Sequence, residues 1–213
     1  MKLNADFSKR VLVRFDDTAW VPSPMPGVDR KMLDRIGAEV ARATSLVRYA
    51  PNSAFSPHTH DGGEEYLVLE GTFCDEDGAF ATGTYVRNPP TSSHTPSAPE
   101  GAIILVKLHQ FDPEDRKQIR VDISDVAAVQ PLHQDAFEEV RVEHWAPGET
   151  IALDAVGGME IFVIKGGFAQ SGDALGPWDW LRLPPGTRAQ ARAGSEGAKL
   201  WIKSGHLTHV AAP

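Results

Sequence analysis

The sequence repeats itself once, and that repeat limits what the chain can fold into. Residues 62–71 read GGEEYLVLEG and residues 157–166 read GGMEIFVIKG, an offset of 95. The same offset carries Arg87-Asn-Pro-Pro90 onto Arg182-Leu-Pro-Pro185 and Phe73 onto Phe168. Ala50-Pro51-Asn52 answers Ala146-Pro147-Gly148, and Ala102–Lys107 (AIILVK) answers Ala198–Lys203 (AKLWIK), both at 96, a one-residue indel. Five matched segments in one order and at one spacing mark a duplicated unit. The predicted layout is an N-terminal extension over 1–39 packing on the rest, a first copy over 40–111, a linker over 112–135 and a second, degenerate copy over 136–213.

Each copy reads as β-structure. The chain carries 19 glycines and 16 prolines, and between them lie short β-prone runs rather than long helical periodicities. Strands are predicted at Thr44–Tyr49, Glu65–Leu69, Gly83–Val86 and Ala102–Leu108. A second set is predicted at Glu138–Trp145, Glu160–Ile164, Asp179–Leu183 and Lys199–Lys203. Strands at this density make a sandwich or barrel. Two short helices are expected, at Asp29–Ile36 and Asp112–Gln118. Trp20–Pro26 holds three prolines, which remove three ladder donors, so it should lie extended at a surface or sheet edge.

Composition excludes several function classes. Lys+Arg 21 against Asp+Glu 29 gives a net charge of −8, which is no footprint for nucleic acid. Cys74 is the single cysteine, so neither an intrachain disulfide nor a multi-cysteine zinc module can form. Apolar runs such as Ala102–Val106 are far shorter than the ~20 residues that span a bilayer. With no signal-peptide pattern at the N-terminus, the expectation is a cytoplasmic protein without a membrane or nucleic-acid partner.

One constellation carries chemistry. His58 and His60 stand two apart on a predicted strand, so both rings point to one face. Asp61-Gly62-Gly63 turns the chain and returns Glu64. His94 follows Pro89-Pro90, and a β-fold can bring it back as a fourth ligand. Three imidazoles and a carboxylate suit a first-row divalent ion. An H-x-H pair alone is weak evidence, but the repeat sharpens it. At the offset of 95, His58 becomes Leu153, His60 Ala155, Glu64 Met159 and His94 Ala189. Four candidate ligands vanish together while the surrounding glycines, prolines and apolar residues persist. One metal per chain, in the first copy, is the expectation. The remaining histidines lack ligand spacing, with His206 and His209 expected in a solvated tail. Asp75-Glu-Asp77 reads as a solvated hairpin turn.

These residues resemble the two cupin motifs. His58-x-His60-x3-Glu64-x6-Gly71 is similar to the first and Gly83-x5-Pro89-x-Thr91-x2-His94 to the second. Asn52 and Thr91 stand where the pattern has glycine, and Ala98 where it has asparagine. Ala41–Pro51, Gly63–Gly71 and Gly83–Pro90 resemble the ChrR-like branch in particular. The resemblance implies an all-β fold of two tandem jelly-roll barrels. The implied cofactor is one divalent ion on His58, His60, Glu64 and His94: zinc or iron, with manganese or nickel as alternatives. It also implies two directions. One is a non-haem dioxygenase similar to acetylacetone dioxygenase, taking a small diketone-like or phenolic ligand into a pocket that includes Tyr66 and Val68. The other is a zinc-binding regulatory or sensor cupin related to the ChrR anti-sigma factors. Those carry a sigma-binding helical domain with a His-x3-Cys-x2-Cys motif. This sequence has no such motif and leaves no room for that domain, which argues against a sigma-factor partner. The oligomeric state is left open between monomer and homodimer.

Overall fold

A computed structural model of the chain describes residues 1–125, 128–210 and 212–213. Residues 126–127, within the predicted linker, and 211, within the predicted second copy, lie outside the described residues. The fold is nearly all β; the helical content of the described residues is one 3-10 turn at His206–Thr208. All eight predicted strands are present, several of them longer than the sequence pattern suggested. The chain divides into two compact units. Of the described residues, one comprises 1–5, 19–124 and 212–213, the other 6–18, 125 and 128–210.

In the first unit the antiparallel order is Lys2–Leu3, Val28–Gly37, Ala41–Tyr49, Ala102–Leu108, Glu64–Asp75, Thr84–Asn88 and Ile119–Asp122. A separate short ladder pairs His58–Thr59 with Ser93–His94. In the second unit the order is Val129–Gln134, Glu139–Trp145, Thr187–Ser204, Met159–Gln170, Trp180–Leu183 and Val11–Val13. Thr150–Ala155 pairs with the N-terminal half of Thr187–Ser204.

The duplication extends to register. Arg87 faces Glu65 in the first unit and Arg182 faces Glu160 in the second. His58 faces His94, and their counterparts Leu153 and Ala189 face each other likewise. Each unit fills its interior with alternate strand residues. Tyr66, Val68, Phe73, Phe80, Val86, Ile104 and Val106 form the first core; Ile161, Val163, Phe168, Leu181, Leu200 and Ile202 belong to the second.

A buried polar girdle also survives in both copies. The Tyr85 hydroxyl donates to Glu65 Oε2 at 2.7 Å, and Arg87 lies 3.7 Å from that oxygen and 3.9 Å over the ring of Phe111. In the second copy the Trp180 indole N–H donates to Glu160 at 3.3 Å, and Arg182 stacks 4.2 Å over Phe7. In both copies a buried carboxylate accepts from an aryl donor beside a buried, ring-stacked guanidinium, so that opposite charges share the interior.

Four sequence expectations need correction. Asp29–Ile36 is not a helix but part of the strand Val28–Gly37, with a bulge between Met32 and Asp34. Its apolar spacing suits two helical turns, yet Gly37 at φ 126° closes a tight return onto Ala41–Tyr49 and commits it to the ladder. Asp112–Gln118 forms turns, not a helix. The segment expected as a linker carries two strands, Ile119–Asp122 and Val129–Gln134. Finally, His206 is buried rather than solvated, its Nε2 3.0 Å from Glu160. The proline-rich stretch does lie extended at an edge, with Val21–Pro22 paired to Val28–Gly37.

Candidate metal centre

The local sequence explains why the predicted residues meet. After His60 the pair Gly62-Gly63 lets the chain turn against a wall of side chains. A Cβ on Gly62 would strike the His109 ring at 2.2 Å, and Gly63, at φ 76°, lies under Phe111. Pro89-Pro90 closes the opposite turn. There the Thr91 N–H donates to the His60 carbonyl, and the His60 N–H donates to the Ser92 carbonyl, both at 2.9 Å. These bonds lock the His60 backbone against the turn leading to His94, while the ladder sets His94 opposite His58. Both positions where glycine was replaced keep left-handed backbone, Asn52 at φ 63° and Thr91 at φ 74°. Asparagine tolerates that region; β-branched threonine is strained in it.

The structure brings the three histidines together, their ligating nitrogens within 4.8 Å of one another, and sets Glu64 beside two of them. His94 Nε2 lies 3.2 Å from His58 Nε2 and 3.3 Å from His60 Nε2. Glu64 Oε2 lies 3.3 Å from His60 Nε2 and 3.7 Å from His94 Nε2. His60, Glu64 and His94 are buried; His58 is exposed.

The other ring nitrogens decide what these atoms carry. His58 Nδ1 lies 3.1 Å from the Ser56 carbonyl oxygen, which can only accept. His60 Nδ1 lies 3.0 Å from Ser92 Oγ, whose own proton goes to the Pro89 carbonyl at 2.6 Å. His94 Nδ1 lies 3.3 Å from Asp75 Oδ2. Each Nδ1 therefore holds its ring's proton, and each Nε2 turns a bare lone pair inward. Glu64 Oε2 adds another acceptor, buried and without a hydrogen-bond donor. Three lone pairs facing one another, with a carboxylate oxygen beside two of them, repel unless a cation lies among them. Ligands about 2.0–2.1 Å from a first-row ion at tetrahedral or octahedral angles sit about 2.8–3.4 Å apart, a range that holds the 3.2 and 3.3 Å separations of His94 from His58 and His60 and the 3.3 Å of Glu64 from His60, while Glu64 lies farther, at 3.7 Å, from His94. The donor set fits such an ion.

Titration properties agree. Burial, helped by the neighbouring His94, His58 and His109 rings, pushes His60 down to about 3. Burial and His58 also lower His94, though Asp75 opposes them. Burial lifts Glu64 to about 7; the Asn88 amide alongside pulls it back and the Asp75 charge adds to the rise. Neutral imidazoles are the ligand form.

Glu65, one residue on, points the other way into the Tyr85–Arg87 girdle. Tyr66 and Val68 line the interior behind Glu64 as expected, and Phe73 lies 6.4 Å from the His94 ring. In the second unit Leu153, Ala155 and Met159 are buried in the apolar core, and Ala189 packs against it. Sequence reasoning missed Asp75, Ser92 and Ser56. Asp75 looked like one of three solvated turn carboxylates, but its side chain is only 2% exposed. Its strand parity with Phe73 was the available signal.

Comparison with known proteins places this geometry in context. Residues 8–112 match the family model described as the ChrR Cupin-like domain. A comparison with curated protein sequences gives no match. Among solved structures, a Nostoc punctiforme protein provisionally described as a dioxygenase is 13% identical with a TM-score of 0.76, covering 97% of this chain and 86% of that one. The bacterial pirin YhhW of Escherichia coli, in complex with nickel(II), is 15% identical with a TM-score of 0.70, covering 92% and 99%. Salicylate 1,2-dioxygenase of Pseudoaminobacter salicylatoxidans, as gentisate adducts, is 10% identical with a TM-score of 0.65, covering 95% and 82%. At these identities the likeness shows the fold alone.

Proposed function

From the premise that residues 8–112 belong to the ChrR cupin-like family, we propose that this chain is a bicupin whose first barrel holds one divalent transition metal. His58, His60, Glu64 and His94 are its ligands, and the second barrel holds none. The observation that carries this reading is the clustering of the three histidines, whose ligating nitrogens all lie within 4.8 Å of one another, with the undonated Glu64 oxygen 3.3 Å from His60 and 3.7 Å from His94.

The reaction proposed is oxygen-dependent cleavage of a small diketone-like or phenolic substrate. When bound, the metal supplies Lewis acidity and, as iron, electrons for oxygen chemistry. The chain supplies the rest. Exposed His58 marks the open side through which a small ligand reaches the centre. Tyr66, Val68 and Phe73 present an apolar wall that keeps water from the inner side. Ser56, Ser92 and Asp75 hold the three rings in the ligating tautomer. Two of the fold relatives being described as dioxygenases supports this direction. The family description supports a second reading, a zinc-bearing regulatory or sensor cupin without turnover.

Stripping the protein with a chelator and rebuilding it with Fe(II) or Zn(II) separates the two. Oxygen uptake on a panel of β-diketones and hydroxylated aromatic ketones, with Fe(II) and not with Zn(II), is the expected result. Silence with both metals, in a protein that purifies with zinc alone, favours the second reading and overturns the first.

A further inference from the structure

We propose that Asp75 is a positioning residue of this centre, fixing the ring of His94 and the nitrogen that His94 offers. The inference rests on the reading that an ion sits among the three histidines. Asp75 closes the strand Glu64–Asp75 and opens the hairpin turn that leads to Gly78. Its two oxygens do different work. Oδ1 accepts from the Asp77 N–H at 2.8 Å and closes the turn; Oδ2 accepts from the His94 Nδ1–H at 3.3 Å. The next carboxylate of the turn grips the same segment, and the one after it anchors the turn to the strand Ile119–Asp122. Glu76 Oε2 accepts from the Thr95 N–H at 3.0 Å, and Asp77 pairs with Arg120. The turn thus clasps the His94–Thr95 segment, with Asp75 as the buried tooth.

The duplication gives independent support. At the offset of 95, Asp75-Glu76-Asp77 becomes Gln170-Ser171-Gly172. All three carboxylates disappear in the copy where His94 has become Ala189. A turn needed only for folding would keep its chemistry, as the Glu65–Arg87 girdle does in Glu160–Arg182. Gln170 instead accepts from Arg10 at 2.9 Å. The clasp was lost together with the ring it orients.

Two substitutions distinguish positioning from turn-building. Asp75→Asn keeps one oxygen for the Asp77 N–H, so the turn stays closed. Its NH2 then faces His94 Nδ1, and two donors cannot share that contact. The ring is driven to carry its proton on Nε2, where the metal should bind. Asp75→Ala instead leaves the ring free to choose its tautomer and weakens the turn. Metal-free wild type and both variants are titrated with cobalt(II) alone, reading the visible ligand-field bands and, separately, the melting temperature without metal. Asp75→Asn is expected to bind about 10–100-fold more weakly than wild type, with altered bands, an unchanged metal-free melting temperature, and a larger loss than Asp75→Ala. Wild-type binding by Asp75→Asn overturns the proposal, and so does a fall in its metal-free melting temperature matching that of Asp75→Ala. A wild-type protein that takes up no cobalt overturns the metal reading itself, and this inference with it.

Discussion

Glu64 and Glu65 are adjacent carboxylates with opposite consequences. Removing the charge of Glu64 should stabilise the metal-free protein while crippling metal binding. Its carboxyl is raised to about 7, chiefly by burial, from an ordinary value of 4.5. The folded state therefore holds this proton more tightly than the unfolded chain does. That stabilisation is complete below pH 4.5 and is lost as pH rises through 7. At pH 8 the ionised carboxylate costs the metal-free fold on the order of 3 kcal/mol. Glu64→Gln removes that cost. Denaturant unfolding of metal-free protein should show the variant more stable than wild type by up to about 3 kcal/mol at pH 8, with the gap closing by pH 4. Its metal affinity should fall by at least tenfold. Glu65→Gln should behave in reverse. Its carboxylate is 1% exposed, accepts from Tyr85 and lies beside Arg87. Breaking a buried pair costs about 3–5 kcal/mol, reduced here because Asp115 also pairs with Arg87 at 2.6 Å. Metal binding should survive that change. A Glu64→Gln protein less stable than wild type at pH 8, or one that keeps full metal affinity, refutes the reasoning.

Further expectations follow from the same geometry. His60→Ala or His94→Ala should abolish most metal binding yet leave the β-rich circular dichroism intact, because each barrel has its own apolar core. Metal uptake should release more protons at pH 6 than at pH 8, since Glu64, raised to about 7, must ionise to bind; calorimetry in buffers of different ionisation enthalpy measures this. Thr91 holds φ 74°, so Thr91→Gly should raise stability by about 1 kcal/mol without altering metal affinity.

Much of the site was legible in the sequence, because its two devices are local. Strand alternation puts His58 and His60 on one face, and the double glycine turns Glu64 back toward them. The repeat made the histidines stand out against Leu153, Ala155 and Ala189. It also marked Glu65 as framework, since Glu160 persists in the copy without ligands. What stayed hidden depends on long-range packing. Asp75 sits in an acidic turn that composition alone assigns to solvent, and only the fold seals it against His94. His206 lies near the C-terminus, where sequence suggests a tail, but a turn after Gly205 carries it onto buried Glu160. Val28–Gly37 has spacing that suits a helix as well as a bulged strand, and ladder pairing on both sides decides it. Val11–Val13 completes the second unit's sheet beside Trp180–Leu183, a pairing across more than 150 residues that no local pattern announces.

The central claim is one metal, held in the first barrel alone. Isothermal titration of chelator-stripped protein with zinc(II), run on wild type and on the His58→Ala/His60→Ala double variant, tests it most directly. One tight site per chain is expected in the wild type and none in the double variant. Two sites per chain, or a tight site that survives loss of both histidines, contradicts it.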